Sequence, residues 1–132
     1  LKYRNSNVSN EDIITSAIYK GKYSEKNKIG IMINEIKLMR KESQPLKNKT
    51  GGSTFKNPEG KFAAKLIEQA ECKGLTYGDA TVSTKHSNFL INLGKATAKD
   101  IETLGKTIQE KVLKKLNVNL EWEIKIIGED SV

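Results

Sequence analysis

The residues best suited to chemistry lie in one octapeptide and one pair of carboxylates. Gly51-Gly52-Ser53-Thr54-Phe55-Lys56-Asn57-Pro58 brings glycines, a hydroxyl, an ammonium and an amide into one short stretch. Glycines let a backbone approach a ligand closely. Asn57 followed by Pro58 reads as the N-cap and first residue of a helix, whose N-terminus attracts anions. A turn running into a capped helix would look the same. Near the other end, Glu121 and Glu123 alternate with Leu120, Trp122 and Ile124. A strand there sets both carboxylates on the face turned away from the core, where a ligand or only solvent could meet them.

Other chemistries find less support. His86 is the sole histidine and Cys72 the sole cysteine, so no metal site is expected: neither His-x-x-x-His nor Cys-x-x-Cys spacing occurs. Cys72 has no base near it in sequence and reads as a small buried residue; one cysteine permits no internal disulfide and fits a reducing cytosol. Ser53, His86 and Glu123 could form a triad only as scattered residues, because nothing like Gly-x-Ser-x-Gly occurs. Gly51-Gly52 is not followed by the Gly-Lys-Ser/Thr of a P-loop. The net charge of +7 points first to nucleic acid. Yet Arg4 and Arg40 are the only arginines among 23 basic residues, and the aromatics (6%) do not interleave with the lysines. Bidentate phosphate reading favours Arg, and single strands favour stacked aromatics. A bias toward Lys, Asn and Ile explains the charge, and a local anionic ligand such as a pyrophosphate stays compatible with it. A non-catalytic basic module binding nucleic acid or another partner is the alternative reading. No apolar run approaches the roughly 18 residues of a membrane span, and no leader is visible, so neither a membrane nor export is expected.

The elements that must position these groups read as follows. Residues 12–20 (DIITSAIYK) carry β-branched and aromatic residues and predict a strand. Ser24 could cap a helix over 25–41, where Ile29, Met32, Ile33, Ile36 and Met39 repeat at helical steps; Gln44-Pro45 ends it. Residues 46–57 are turn-rich. A short helix then starts at Asn57-Pro58, with Phe62, Leu66 and Ile67 on its apolar face, and Gly74 closes it. Short strands follow from 75 to 92, the run Asn88–Asn92 suiting a buried one. Thr97 with Asp100 predicts a capping box for a helix over 98–116, striped by Ile101, Leu104, Ile108, Val112 and Leu116. Strict alternation from Val118 to Ile126 predicts a last strand. Phe89 and Trp122 read as core. The order gives a single α+β domain, three main helices packed on a small mixed or antiparallel sheet.

Ordered blocks along nearly the whole chain resemble those of the UDP-N-acetylenolpyruvoylglucosamine reductase family. The octapeptide is similar to the family's Gly-Ser-x-Phe-Lys-Asn-Pro signature. Tyr3-Arg4-Asn5-Ser6 resembles its Tyr-Arg-x-Ser segment, Arg40 through Pro45 its Arg-x-x-x-Gln-Pro element, and Ala64-Lys65-Leu66-Ile67-Glu68 its helix. Val82 through Phe89 resembles its Val-Ser-x-Lys-His segment, and Ala96-Thr97-Ala98 and Leu120 through Gly128 complete the series. Asp79 stands where the family usually has a second glycine, and Ser43 where many members have a lysine.

The resemblance implies a C-terminal substrate-binding domain over 24–132, with 1–23 as the end of a preceding domain or a connecting strand and the FAD-binding domains upstream. It implies a cytoplasmic, peptidoglycan-forming oxidoreductase in which NADPH reduces FAD and hydride then passes to the enolpyruvyl ether of UDP-N-acetylglucosamine, giving UDP-N-acetylmuramate. Ser53 matches the family's proton donor and Glu123 the residue that hydrogen-bonds the developing enolate. Lys56 and Asn57 match positions near the substrate carboxylate and diphosphate, and Tyr3 a tyrosine contacting the nucleotide. His86 matches a position where some members carry a substrate-touching Gln. The implied partners are the UDP-sugar substrate and the flavin-binding domains of the same polypeptide, with no nucleic acid and no membrane. The chain alone is expected to be colourless and inactive.

Overall fold

Two separate bodies make up the chain, residues 1–33 and 34–132. The computed structural model describes residues 3, 6–9 and 11–128; Arg4 and Asn5 of the first family-like block and the chain ends lie outside them.

In the first body, the strand expected over 12–20 does not form: these residues have no regular structure and are exposed. A strand needs a neighbour to take its backbone hydrogen bonds, and among the described residues none pairs with it. Helix α1, Lys26–Ser43, has residues in both bodies; it matches the expected helix and ends directly before Gln44-Pro45. Ser43 closes it by donating its hydroxyl to the Met39 carbonyl at 2.7 Å. None of its residues is buried, and the stripe from Ile29 to Met39 is exposed.

The second body holds the core. A three-stranded antiparallel sheet has the order β1 (Thr76–Tyr77), β2 (Ala80–Val82), β3 (Leu90–Asn92). The two-residue turn Gly78-Asp79 joins β1 to β2, with Gly78 at φ +52° supplying the left-handed position that such a hairpin requires. Asp79, in place of the usual glycine, accepts the Lys95 N–H on its carboxylate at 2.7 Å and so ties the hairpin to the loop after β3. Helix α3, Ala98–Leu116, packs across the sheet, and helix α2, Ala63–Gln69, packs on α3. Leu104, Ile108 and Val112 of α3 are fully buried with Ile67 and Val82, and Cys72 lies among them. The capping box forms as expected, Thr97 accepting the Asp100 N–H and the Asp100 carboxylate accepting the Thr97 N–H. Asn117 closes α3 in the left-handed conformation.

Two boundaries differ from expectation. Asn57-Pro58 does not start α2. Lys61 N–H donates to the Pro58 carbonyl at 3.0 Å, closing a turn with Gly60 at φ +67°, and the helix begins at Ala63. Asn57 still serves the helix at longer range, its side-chain oxygen accepting the Ala63 N–H at 3.0 Å. The other end of α2 comes early, at Gln69 and not near Gly74. Glu71 adopts φ +57°, and the Cys72 and Glu71 N–H groups donate back to Ile67 and Glu68. This is the usual helix-ending motif with a glutamate where glycine normally stands, so no glycine in the sequence marks it.

The last strand also shrinks. Alternation survives as burial, with Leu120 buried and Val118 and Trp122 packed on the core, but ladder pairing is confined to one bridge, Phe55 with Trp122. A bend at Glu123-Ile124 breaks the line, and Ile126 is exposed.

Candidate functional site

The glycine-rich segment is a fourth ribbon laid beside the sheet. Bridges pair Lys49 with Asn92 and Ser53 with Phe89 on one side, and Phe55 with Trp122 on the other. Thr54 and Phe55 are buried, so the turn-rich stretch carries core residues between its glycines and Lys56. On the far side, the Glu123 N–H donates to the Thr54 carbonyl and the Lys56 N–H to the Glu121 carbonyl, each at 2.8 Å. Ser53, Lys56, Glu121 and Glu123 therefore stand on two neighbouring ribbons, and a single backbone hydrogen bond separates the residue after Ser53 from Glu123.

Trp122 anchors the second ribbon. Its ring lies 5.0 Å from that of Phe55, tilted by 37°, and rests against Gly105 of α3. Gln109 of α3 also donates its side-chain N–H to the Leu120 carbonyl at 2.7 Å. The two glutamates on either side of Trp122 differ: Glu121 is exposed and pairs with Lys56 at 3.2 Å, whereas Glu123 is half-buried. With both partners well exposed, the Lys56–Glu121 pair contributes little to stability, and Lys56 can exchange it for an anionic ligand.

His86 sits at the first ribbon's edge. Its Nδ1 accepts the Asn88 N–H at 3.3 Å, and its ring meets Phe89 edge-on at 4.7 Å. Burial lowers its pKa below 6.5, partly offset by its own backbone and by Glu68. Glu68 accepts the Ser87 hydroxyl at 2.9 Å, which lowers its pKa below 4.5, with help from Lys73. Both shifts act in one direction. As pH falls below 6.5, the unfolded chain binds the histidine proton first, so stability declines until the folded pKa is passed; Glu68 repeats this below 4.5. The midpoint of thermal unfolding should fall in two stages, the first as pH drops below 6.5 and the second as it drops below 4.5, and His86→Gln should abolish the first stage alone. A midpoint constant down to about pH 5 would contradict the buried neutral imidazole.

The remaining candidates are placed as follows. Tyr3 is exposed and belongs to the first body. Cys72 is fully buried and burial raises its thiol pKa, which fits an inert residue. Asn88 and Thr54 are not among the site residues that the sequence singles out. Both are buried polar residues that bond the Ser53 ribbon. An open cavity of about 450 Å³ lies beside the loop, and its walls include Gly52 and Thr54, the neighbours of Ser53, with Ile124, Lys49 and Lys125. A second, of about 320 Å³, is lined by Lys41, Lys47 and Lys85 with Gln44 and Asn48. Lys85 donates to the Lys41 carbonyl there.

Among the described residues no three His, Cys, Asp or Glu side chains group as metal ligands, and no helix is long and apolar enough to cross a membrane. Gly51-Gly52 lead into a buried ribbon, with α2 starting only at Ala63, so the pair does not form the glycine-rich turn that opens directly into a helix in doubly wound dinucleotide-binding folds.

A family model described as UDP-N-acetylenolpyruvoylglucosamine reductase, C-terminal domain, matches residues 44–127. The protein of that name from Rhodopseudomonas palustris (strain HaA2) is 50% identical over 126 residues, covering 96% of this chain and 41% of its own length. The one from Gluconobacter oxydans (strain 621H) is 47% identical, covering 98% and 42%. That from Paramagnetospirillum magneticum (strain ATCC 700264 / AMB-1) is 51% identical, covering 96% and 41%. The crystal structure of the Thermus caldophilus UDP-N-acetylenolpyruvylglucosamine reductase superposes with a TM-score of 0.65 at 43% identity, over 77% of this chain and 36% of that one. The chain thus spans about 41–42% of the length of these curated relatives.

Proposed function

The chain belongs to the UDP-N-acetylenolpyruvoylglucosamine reductase family as its C-terminal domain, and from that premise we propose that it supplies the substrate-binding and proton-delivering half of the reductase that forms UDP-N-acetylmuramate. The observation that carries the reading is the adjacency of the Ser53 and Glu123 ribbons through the Thr54 carbonyl. Ser53 donates the proton to the carbon beside the carboxylate, and Glu123 stabilises the enolate that precedes it. Lys56, whose ion pair with the exposed Glu121 is open to exchange, meets the anionic groups of the substrate together with Asn57. His86 completes the substrate contacts of this body. Residues 1–23 end a preceding domain or connect to it, and 24–132 form the substrate-binding part. FAD, reduced by NADPH, supplies the hydride in the full-length cytoplasmic enzyme, and the rest of that polypeptide holds it.

Incubating the full-length protein with NADPH and the enolpyruvyl substrate should yield the lactyl ether, seen by mass spectrometry as a gain of two hydrogens. Absence of product, with salt-dependent binding of DNA or RNA by the same protein, would favour a basic nucleic-acid module instead.

A further inference from the structure

Asn88 is bound to the Ser53 ribbon more closely than any residue of the neighbouring elements. It is 4% exposed. Its Oδ1 accepts the Phe55 N–H at 3.0 Å, and its Nδ2 donates to the Phe55 carbonyl at 2.8 Å. Its own carbonyl accepts the Thr54 N–H at 2.8 Å. The second ribbon takes the alternate groups, the Thr54 carbonyl and the Lys56 N–H. Every backbone polar group from the Thr54 N–H to the Lys56 N–H is thus paired, and three of the five pairs belong to one residue.

Such a clamp has a narrow chemical requirement. Phe55 presents a donor and an acceptor side by side, and a primary amide is the side chain that answers with an acceptor and a donor at peptide spacing. An ionised carboxylate offers acceptors only and would face the Phe55 carbonyl with a buried charge. A hydroxyl satisfies one group and leaves the other short.

We propose that Asn88 is the positioning residue that fixes the Ser53 hydroxyl for proton delivery, acting through the Phe55 peptide. The inference rests on the reading of Ser53 as proton donor. Residues held off their reactive geometry by a fraction of an ångström to an ångström lose on the order of 100-fold in rate, while the binding of the distant parts of the substrate is little affected.

The test uses the full-length flavoenzyme, reduced by NADPH and mixed with UDP-N-acetylglucosamine enolpyruvate in single turnover. Asn88→Asp at about pH 8 should slow substrate reduction on the order of 100-fold, with KM for the substrate little changed and flavin reduction by NADPH at the wild-type rate. The ratio of variant to wild-type rate should climb as pH is lowered, because a protonated carboxyl again offers a donor beside an acceptor and burial raises its pKa. In a Ser53→Ala background, Asn88→Asp should cost less than about threefold more. If Asn88→Asp does not fold, Asn88→Ser enters the same cycle with the same expected non-additivity. Ser53→Ala at full speed would overturn the Ser53 reading on which the proposal rests. A slow Ser53→Ala with an undiminished further loss from the Asn88 variant, or a rate ratio flat with pH, would overturn the role of Asn88 alone.

Discussion

Replacing Ser53 by alanine in the full-length reductase is expected to slow reduction of the enolpyruvyl ether by about 10²–10⁴-fold or more, the range for one acid–base group, while NADPH still reduces the flavin at the wild-type rate. Addition of hydride to the terminal alkene carbon leaves negative charge on its neighbour, spread into the carboxylate. A serine hydroxyl is a weak acid, but that carbanion is a strong base, so the driving force for transfer is adequate. The change should be chemical, not structural. The backbone of the ribbon is held by Asn88 and by the Glu121–Glu123 segment through hydrogen bonds that do not involve the Ser53 side chain. Removing one oxygen should therefore alter stability by about 0.5 kcal/mol or less. Stopped-flow absorbance separates the two half-reactions. Wild-type speed in both would remove Ser53 from the mechanism.

How far the sequence discloses this arrangement depends on the range over which each element is stabilised. Helix α3 is stabilised by a stripe and a capping box written within its own residues, and its bounds follow from them. The hairpin and β3 are similarly local. Residues 12–20 have strand composition, yet composition cannot supply a pairing partner. The final strand has perfect alternation, and alternation reports which side is buried, not how many residues pair. The family-like signature exposes Ser53, Lys56 and Asn57 as a group, since their types are unusual together. Asn88 was not legible, because its meaning lies in Phe55, 33 residues away. Gly105 is equally silent, and only the ring of Trp122 above it shows why a side chain is absent.

That glycine carries the largest expected effect on stability. Ordinary propensity predicts that Gly105→Ala, in the middle of α3, should stabilise the helix by about 1 kcal/mol, and no positive φ opposes it. Packing predicts the reverse. A Cβ there would lie 2.0 Å from Cη2 of Trp122, 2.7 Å from Cζ3 and 3.0 Å from Cζ2. The ring has Phe55 at 5.0 Å, so it cannot retreat without loosening that contact, worth about 0.5–1.5 kcal/mol. Overpacking adds about 1–3 kcal/mol. The sum exceeds the helix gain, and the variant should lose about 1–3 kcal/mol net, a fall of roughly 5–15 °C in the thermal midpoint. Trp122→Leu in the same chain should relieve the clash, so the double variant should be more stable than the sum of the two changes predicts, by at least about 1 kcal/mol. A raised midpoint for Gly105→Ala alone would show that the indole has room to move. Because Trp122 stands between Glu121 and Glu123, a displaced ring also shifts the backbone that aligns Glu123 with Thr54. In the full-length reductase, Gly105→Ala should therefore slow substrate reduction well below its own unfolding temperature, linking a packing contact in α3 to the placement of the carboxylate.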